Sequence, residues 1–282
     1  MRKLLTALLA GLALAASATP AHPVTEAPAA RPLPAAPPAP PPLEGIPAPC
    51  APTHPWPEGR SIDEIKASFT ENFGFELNGT QWTERYLPSI KILWETFDAM
   101  ECTDYRATLQ EKVGGKVGVN TTSISGYAWG DWSLTKVNHV SLDFGKFERA
   151  LDAGDEGRLV RLVAHEFGHV WNSDRHSNPE YWQDFKKLYR AEGKFSSYAD
   201  NDSETFADVV GYYVGRCAFD NPYDTGEYEA YYNFVKDLVF DGVEFGPAPG
   251  VKPDCTIPDP GAEVPATGLA TVPAWVSELS GE

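Results

Sequence analysis

The sequence predicts an α+β fold in the order helices, small sheet, helices. Three observations carry this. Of 25 prolines, 15 fall between residues 20 and 57 and 7 after residue 246, so only Pro88, Pro179 and Pro222 interrupt a foldable stretch, residues 58–245. At both ends of that stretch apolar residues recur at three- and four-residue steps, the period of helices that bury one face. Between them, residues 116–144 are rich in β-branched and aromatic residues broken by glycines, the composition of short strands. Elements grouped by type, with no internal repeat, read as α+β and not as alternating βα units.

Taken in chain order, Arg2 and Lys3 precede an apolar run, Leu4 to Ala16, and the small residues Ala16-Ser17-Ala18. That order of charge, apolar core and cleavage site predicts a secretory signal over residues 1–18, too short to span a bilayer permanently. No Cys follows the run to suggest a lipid anchor, and no later stretch is long and apolar enough for a transmembrane helix. A secreted protein without membrane insertion is expected. Residues 19–57, rich in Pro and Ala, favour extended conformations and read as a linker, stalk or propeptide. Ser61-Ile62-Asp63-Glu64 is a capping box opening a helix that ends near Gly74. Trp82, Tyr86, Ile90, Leu93, Trp94 and Phe97 form one stripe of a longer helix over residues 81–100, with Pro88 marking a kink. Strands are expected at 116–125, 126–134 and 137–144, the last alternating Val137, His139, Ser141 and Asp143 against Asn138, Val140, Leu142 and Phe144. Four helices follow, at 155–172, 179–192, 203–216 and 226–240, the second and fourth stopped by Gly193 and Gly242. Residues 246–282 form a Pro-rich tail ending in an apolar patch, Val272 to Val276, that is a candidate to dock on the domain.

With 40 acidic against 23 basic residues the net charge is −17, which repels phosphate backbones and excludes a nucleic-acid partner. The four cysteines, Cys50, Cys102, Cys217 and Cys255, are even in number and too far apart for a short-spaced metal motif, so two disulfides are expected. Three connectivities exist. Cys50–Cys102 with Cys217–Cys255 is preferred because each bridge would pin one proline-rich extension to the domain. A competing reading makes Cys50 a thiolate capping the metal of a latent form.

The chemistry concentrates in His165-Glu166-Phe167-Gly168-His169, inside the helix predicted for 155–172, whose buried side is Leu159, Leu162, Val163, Phe167 and Val170. Residues four apart on a helix share a face, so the two imidazoles can meet one metal ion while Glu166 stands beside them as a general base. This is a zinc hydrolase arrangement; two incidental surface histidines are the bland alternative. A catalytic zinc takes three protein ligands. His176 competes for the third place, but the pattern with a third nearby histidine needs glycine at position 172 and histidine at position 175, where Asn172 and Arg175 stand. The other candidate is the acidic pair Glu204 and Asp208, four apart on a predicted helix, with Asp202 close by. No Gly-x-Ser-x-Gly elbow supports a serine hydrolase. His139 reads as structural. Trp129-Gly130-Asp131-Trp132 and Tyr228 to Tyr232 are either binding platforms or core, the tyrosines rather core.

Together, His165-Glu166-Phe167-Gly168-His169, Glu204-Thr205-Phe206-Ala207-Asp208 and Tyr198 six residues before Glu204 resemble the gluzincin metallopeptidases, in particular the lethal factor-like group. The resemblance covers mainly residues 159–215. It implies a zincin-like fold with a small sheet, an active-site helix and a helical C-terminal subdomain. It also implies Zn2+ held by His165, His169 and Glu204, Glu166 as general base, Asp208 as support for a ligand histidine, and Tyr198 as a donor to the oxyanion. The expectation is a secreted, monomeric zinc metalloendopeptidase whose peptide or protein substrate binds as an extra strand along the sheet edge. Two other readings remain open: a non-catalytic zinc-containing binding module of the cell envelope, and a zinc amidase acting on cell-wall peptides.

Overall fold

The computed structural model describes residues 49–255. The signal at 1–18, most of the extension expected over 19–57, and the tail beyond residue 255 with its Val272 to Val276 patch lie outside the described residues. Within them, eight α-helices and a four-stranded sheet make a mixed α+β fold.

Helix α1 (Ile62–Phe73) starts on the capping box, with the Ser61 hydroxyl accepting from the Glu64 N–H and the Glu64 carboxylate accepting from the Ser61 N–H. It stops at Gly74, whose φ of 71° suits glycine. Ile65, Phe69 and Phe73 face the core. Helix α2 (Leu87–Asp98) is shorter than the expected 81–100, and Pro88 does not kink it. Pro88 sits in the first turn, where the missing N–H has no helical partner to lose, so it begins the helix. Trp82 belongs to the preceding segment and packs into the core from there.

Three elements were not anticipated. Strand β1 (Glu76–Gly79) has no fully buried residue to advertise it. Helix α3 (Tyr105–Val113) buries only Tyr105 and Leu109, too few for a readable stripe. Helix α4 (Phe144–Asp152) begins at the last residue of the expected 137–144 strand, because the Asp143 carboxylate caps it by accepting from the Gly145 N–H.

Strands β2 (Gly118–Thr121), β3 (Gly130–Trp132) and β4 (His139–Leu142) are shorter than expected and complete a sheet of order β1-β2-β4-β3. In that order β1, β2 and β4 pair in parallel; β3 runs antiparallel to β4 at one of the sheet's two edges, with Trp132 opposite Val140. The loop entering β3 is fixed by Lys146, whose Nζ donates to the carbonyls of Ile124, Gly126 and Ala128 at 2.7, 2.8 and 2.6 Å.

Helix α5 (Glu156–Trp171) contacts α2, α3, α4, the sheet and, most extensively, α7 (Asp202–Val214). Helices α6 (Glu180–Glu192) and α8 (Glu229–Val239) complete the second half. All four late helices fall within three residues of their predicted ends. Tyr231 and Tyr232 are buried, so the tyrosine cluster is core; Trp129 is half-buried, with the Arg158 guanidinium 4.6 Å from its ring centroid.

The disulfides are Cys50–Cys102 and Cys217–Cys255. No cysteine is free, which removes the reading of Cys50 as a metal-capping thiolate. Two bridges point to an oxidising, extracellular-type environment. Among the described residues no helix is long and apolar enough to cross a membrane.

Candidate metal centre

Helix α5 presents His165 and His169 one turn apart, both buried, with ring centroids 4.9 Å apart. Helix α7 supplies the third group. Its N-cap Asn201 accepts from the N–H groups of Ser203 and Glu204 at 2.9 and 3.0 Å, which fixes the first turn and the Glu204 side chain upon it. Glu204 Oε2 lies 3.4 Å from His165 Nε2 and 3.5 Å from His169 Nε2. Donor atoms about 2.0–2.1 Å from a tetrahedral ion lie about 3.3–3.4 Å from one another, so the spacing suits a shared ion. Glu204 Oε2 is also buried without a hydrogen-bond partner, the condition of a carboxylate oxygen placed for a cation. His165, His169 and Glu204 are thus a group able to hold a metal ion.

One turn after Glu204, the Asp208 side chain is fully buried. Its Oδ1 lies 2.8 Å from His165 Nδ1 and 3.2 Å from Arg161 Nη1, and the Ser196 hydroxyl donates to its other oxygen. Burial alone would raise the Asp208 carboxyl; His165, Arg161 and Ser196 hold it below the usual carboxylate range. Burial alone would lower His165, but Asp208 and Glu204 carry it up to about 9 in the metal-free protein. For His169 burial prevails over the pull of Glu204 and the imidazole sits below its ordinary value. Glu204, pushed up by burial, is brought well below the carboxylate range by the two imidazoles.

Glu166 points to the sheet side of α5, where burial pushes its carboxyl up to about 7. Gly130 of β3 makes room for it: a Cβ at that position would collide with the Glu166 carboxyl group. Tyr198 is 64% exposed with its ring 5.8 Å from that of His165. Partial burial and the carboxylates of Glu204, Glu166 and Asp208 push its phenol up to about 12, so it keeps its proton at neutral pH.

All six predicted site residues therefore converge. The competitors do not. His176 is exposed on a short 3-10 turn with Nδ1 3.0 Å from the Ser173 carbonyl, and neither it, Asp202 nor His139 belongs to the metal-binding group. Sequence reasoning missed Arg161 and Ser196, which hold Asp208, and the roles of Gly130 and Trp132. Trp132 stacks on His169 with centroids 5.5 Å apart and planes 13° apart. A period of two places residues 130 and 132 on one face of a strand, a signal available beforehand. Protein-family models, curated proteins and solved structures contain no match to the chain.

Proposed function

We propose that the protein is a secreted zinc metalloendopeptidase of gluzincin type with a zincin-like fold. One observation carries the reading: two imidazole nitrogens stand 3.4 and 3.5 Å from an otherwise unpartnered carboxylate oxygen, with a further buried carboxylate, Glu166, on the same helix. Imidazole and carboxylate donors suit zinc, which when bound would supply Lewis acidity, polarising a water molecule and the scissile carbonyl.

The chain's own residues do the rest. Glu166 takes the proton of the attacking water and delivers it to the leaving amine nitrogen, work suited to a carboxyl held near neutrality by burial. Asp208 keeps His165 in the tautomer with its proton on Nδ1, leaving Nε2 free as a donor atom. The Tyr198 phenol, protonated at neutral pH, donates to the developing oxyanion. The edge strand β3 carries Gly130 beside Glu166, so a peptide pairing with that strand would run past the base. Export is supported by the signal pattern of residues 1–18 together with the two disulfides.

The test combines metal analysis with a peptide library that includes cell-wall peptides. Glu166→Gln is expected to hold metal and lose cleavage. Glu204→Ala is expected to lose metal, and His176→Ala and Asp202→Ala to keep it. Cleavage by Glu166→Gln at the wild-type rate, or loss of metal from His176→Ala and not from Glu204→Ala, would refute the assignment.

A further inference from the structure

The two histidines on α5 are held by different means. His165 gives its second ring nitrogen to Asp208 at 2.8 Å. His169 Nδ1 is buried and has no hydrogen-bond partner. Metal-ligating histidines commonly use that second N–H to fix ring orientation, and the final torsion of a histidine is otherwise soft. Some other contact must set the plane of His169.

That contact is Trp132. Its ring lies nearly parallel to the imidazole, 13° between planes and 5.5 Å between centroids, an offset stack that opposes rotation of the imidazole out of its plane. The indole is itself fixed: Nε1 donates to the Val137 carbonyl at 3.0 Å, and the residue pairs with Val140 in the sheet. Arg175 adds a cation 5.2 Å from the centroid of the same Trp132 ring, while its Nη1 donates to the Asn172 carbonyl at the end of α5 at 3.2 Å. Strand β3 and the end of α5 are thereby tied together across His169.

We propose that Trp132 and Arg175 are positioning residues for the metal ligand His169, setting its ring plane by stacking where a hydrogen bond sets that of His165. The inference rests on the reading of His165, His169 and Glu204 as metal ligands. It assigns Trp132 neither to a substrate platform nor to core filling alone.

Two measurements on the purified protein test it. Zinc affinity is measured by competition with a chromophoric chelator, and the ring protons of His165 and His169 are followed by NMR in the metal-free state. Trp132→Ala should weaken zinc binding by about 10–100-fold, the usual effect of losing a ligand's support. It should also abolish the upfield ring-current shift of His169 while leaving His165 unmoved. Trp132→Phe should keep both close to wild type, and Trp132→Leu, which retains bulk without a flat face, should behave as the alanine variant. Arg175→Ala should weaken affinity by about 2–5-fold, the scale of an exposed cation–π contact. If Trp132→Ala does not fold, Phe against Leu decides the matter. Wild-type affinity in Trp132→Leu, or equal losses in Phe and Leu, would overturn the clamp and leave the metal site standing. A wild-type protein that takes up no zinc would overturn the metal site and the clamp's role with it.

Discussion

Removing the Asp208 carboxylate separates metal affinity from fold stability in a way that can be worked from the contacts. Asp208→Ala leaves His165 Nδ1 without its acceptor and Arg161, whose side chain is 18% exposed, without its 3.2 Å counter-charge. Breaking a buried pair by deleting one partner costs about 3–5 kcal/mol. Arg161 also sits 4.8 Å from the Tyr212 ring centroid and keeps that contact, so about 3 kcal/mol of metal-free stability is expected to be lost. Zinc affinity should fall separately by about 10–100-fold as His165 loses its orientation. Asp208→Asn retains shape and an acceptor oxygen. It replaces a charge-assisted hydrogen bond, worth about 1.5–3 kcal/mol, by a neutral one worth about 0.5–1.5, so affinity should fall by about tenfold. Urea unfolding in excess chelator gives the first quantity and chelator competition at pH 7.5 the second. Affinity within about twofold of wild type in Asp208→Ala would refute the assignment of Asp208 to His165.

Two further outcomes follow from the same geometry. Gly130→Ala places a Cβ against the Glu166 carboxyl group and should displace the base without touching a ligand; peptide cleavage should fall by at least about tenfold with zinc content unchanged, and full cleavage would show that the base lies elsewhere. His165, carried up to about 9 in the metal-free protein, is protonated at pH 7.5 and must become neutral to bind metal. Because this pKa is raised above its unfolded value, its contribution to metal-free stability is complete below about pH 6.5 and lost as pH rises through about 9, while zinc affinity rises over the same interval. Calorimetry in buffers of different ionisation heat should register about one proton released per zinc at pH 7.5, falling toward zero above pH 9; buffer-independent heats at pH 7.5 would contradict it.

The parts of the site legible in the sequence are those decided within one helix. His165, Glu166 and His169 are fixed relative to one another by helical rise and turn alone, and Glu204 and Asp208 likewise, so spacing sufficed for each set. That the two sets meet is a tertiary fact, and only the resemblance suggested it beforehand. Arg161 and Ser196 carry no motif; they act because Asp208 is buried between them. Trp132 reads from the sequence as a binding platform or core; that it stacks on His169 depends on where β3 lies over α5, which no local pattern encodes. Strand β1 and helix α3 bury too few residues for either period to be read, whereas α4 buries Phe144, Phe147 and Ala150 at three-residue steps, a helical signal hidden because the strand alternation of 137–144 runs into its first residue.

What lets the two sets meet is the absence of side chains where α5 crosses α7. A Cβ on Gly168 would stand 3.2 Å from the Ala207 Cα, and one on Gly211 would stand 2.8 Å from the Arg161 carbonyl oxygen and 3.1 Å from the His165 Cβ. The helices therefore touch backbone to backbone, closer than side chains of ordinary size would permit. That approach brings Glu204 Oε2 to 3.4 and 3.5 Å from the two imidazoles and Asp208 to 2.8 Å from His165. A methyl group at either glycine would push α7 outward by an amount comparable with, or larger than, the roughly 0.2 Å tolerance of metal–ligand distances. Each glycine weakens its own helix by about 1 kcal/mol relative to alanine, so both positions break the local helix rule. The local loss is offset by a geometry that only the pair of helices can make. Gly168 in the middle of the His165–His169 motif thus matters as much to the candidate site as the residues able to hold a metal ion.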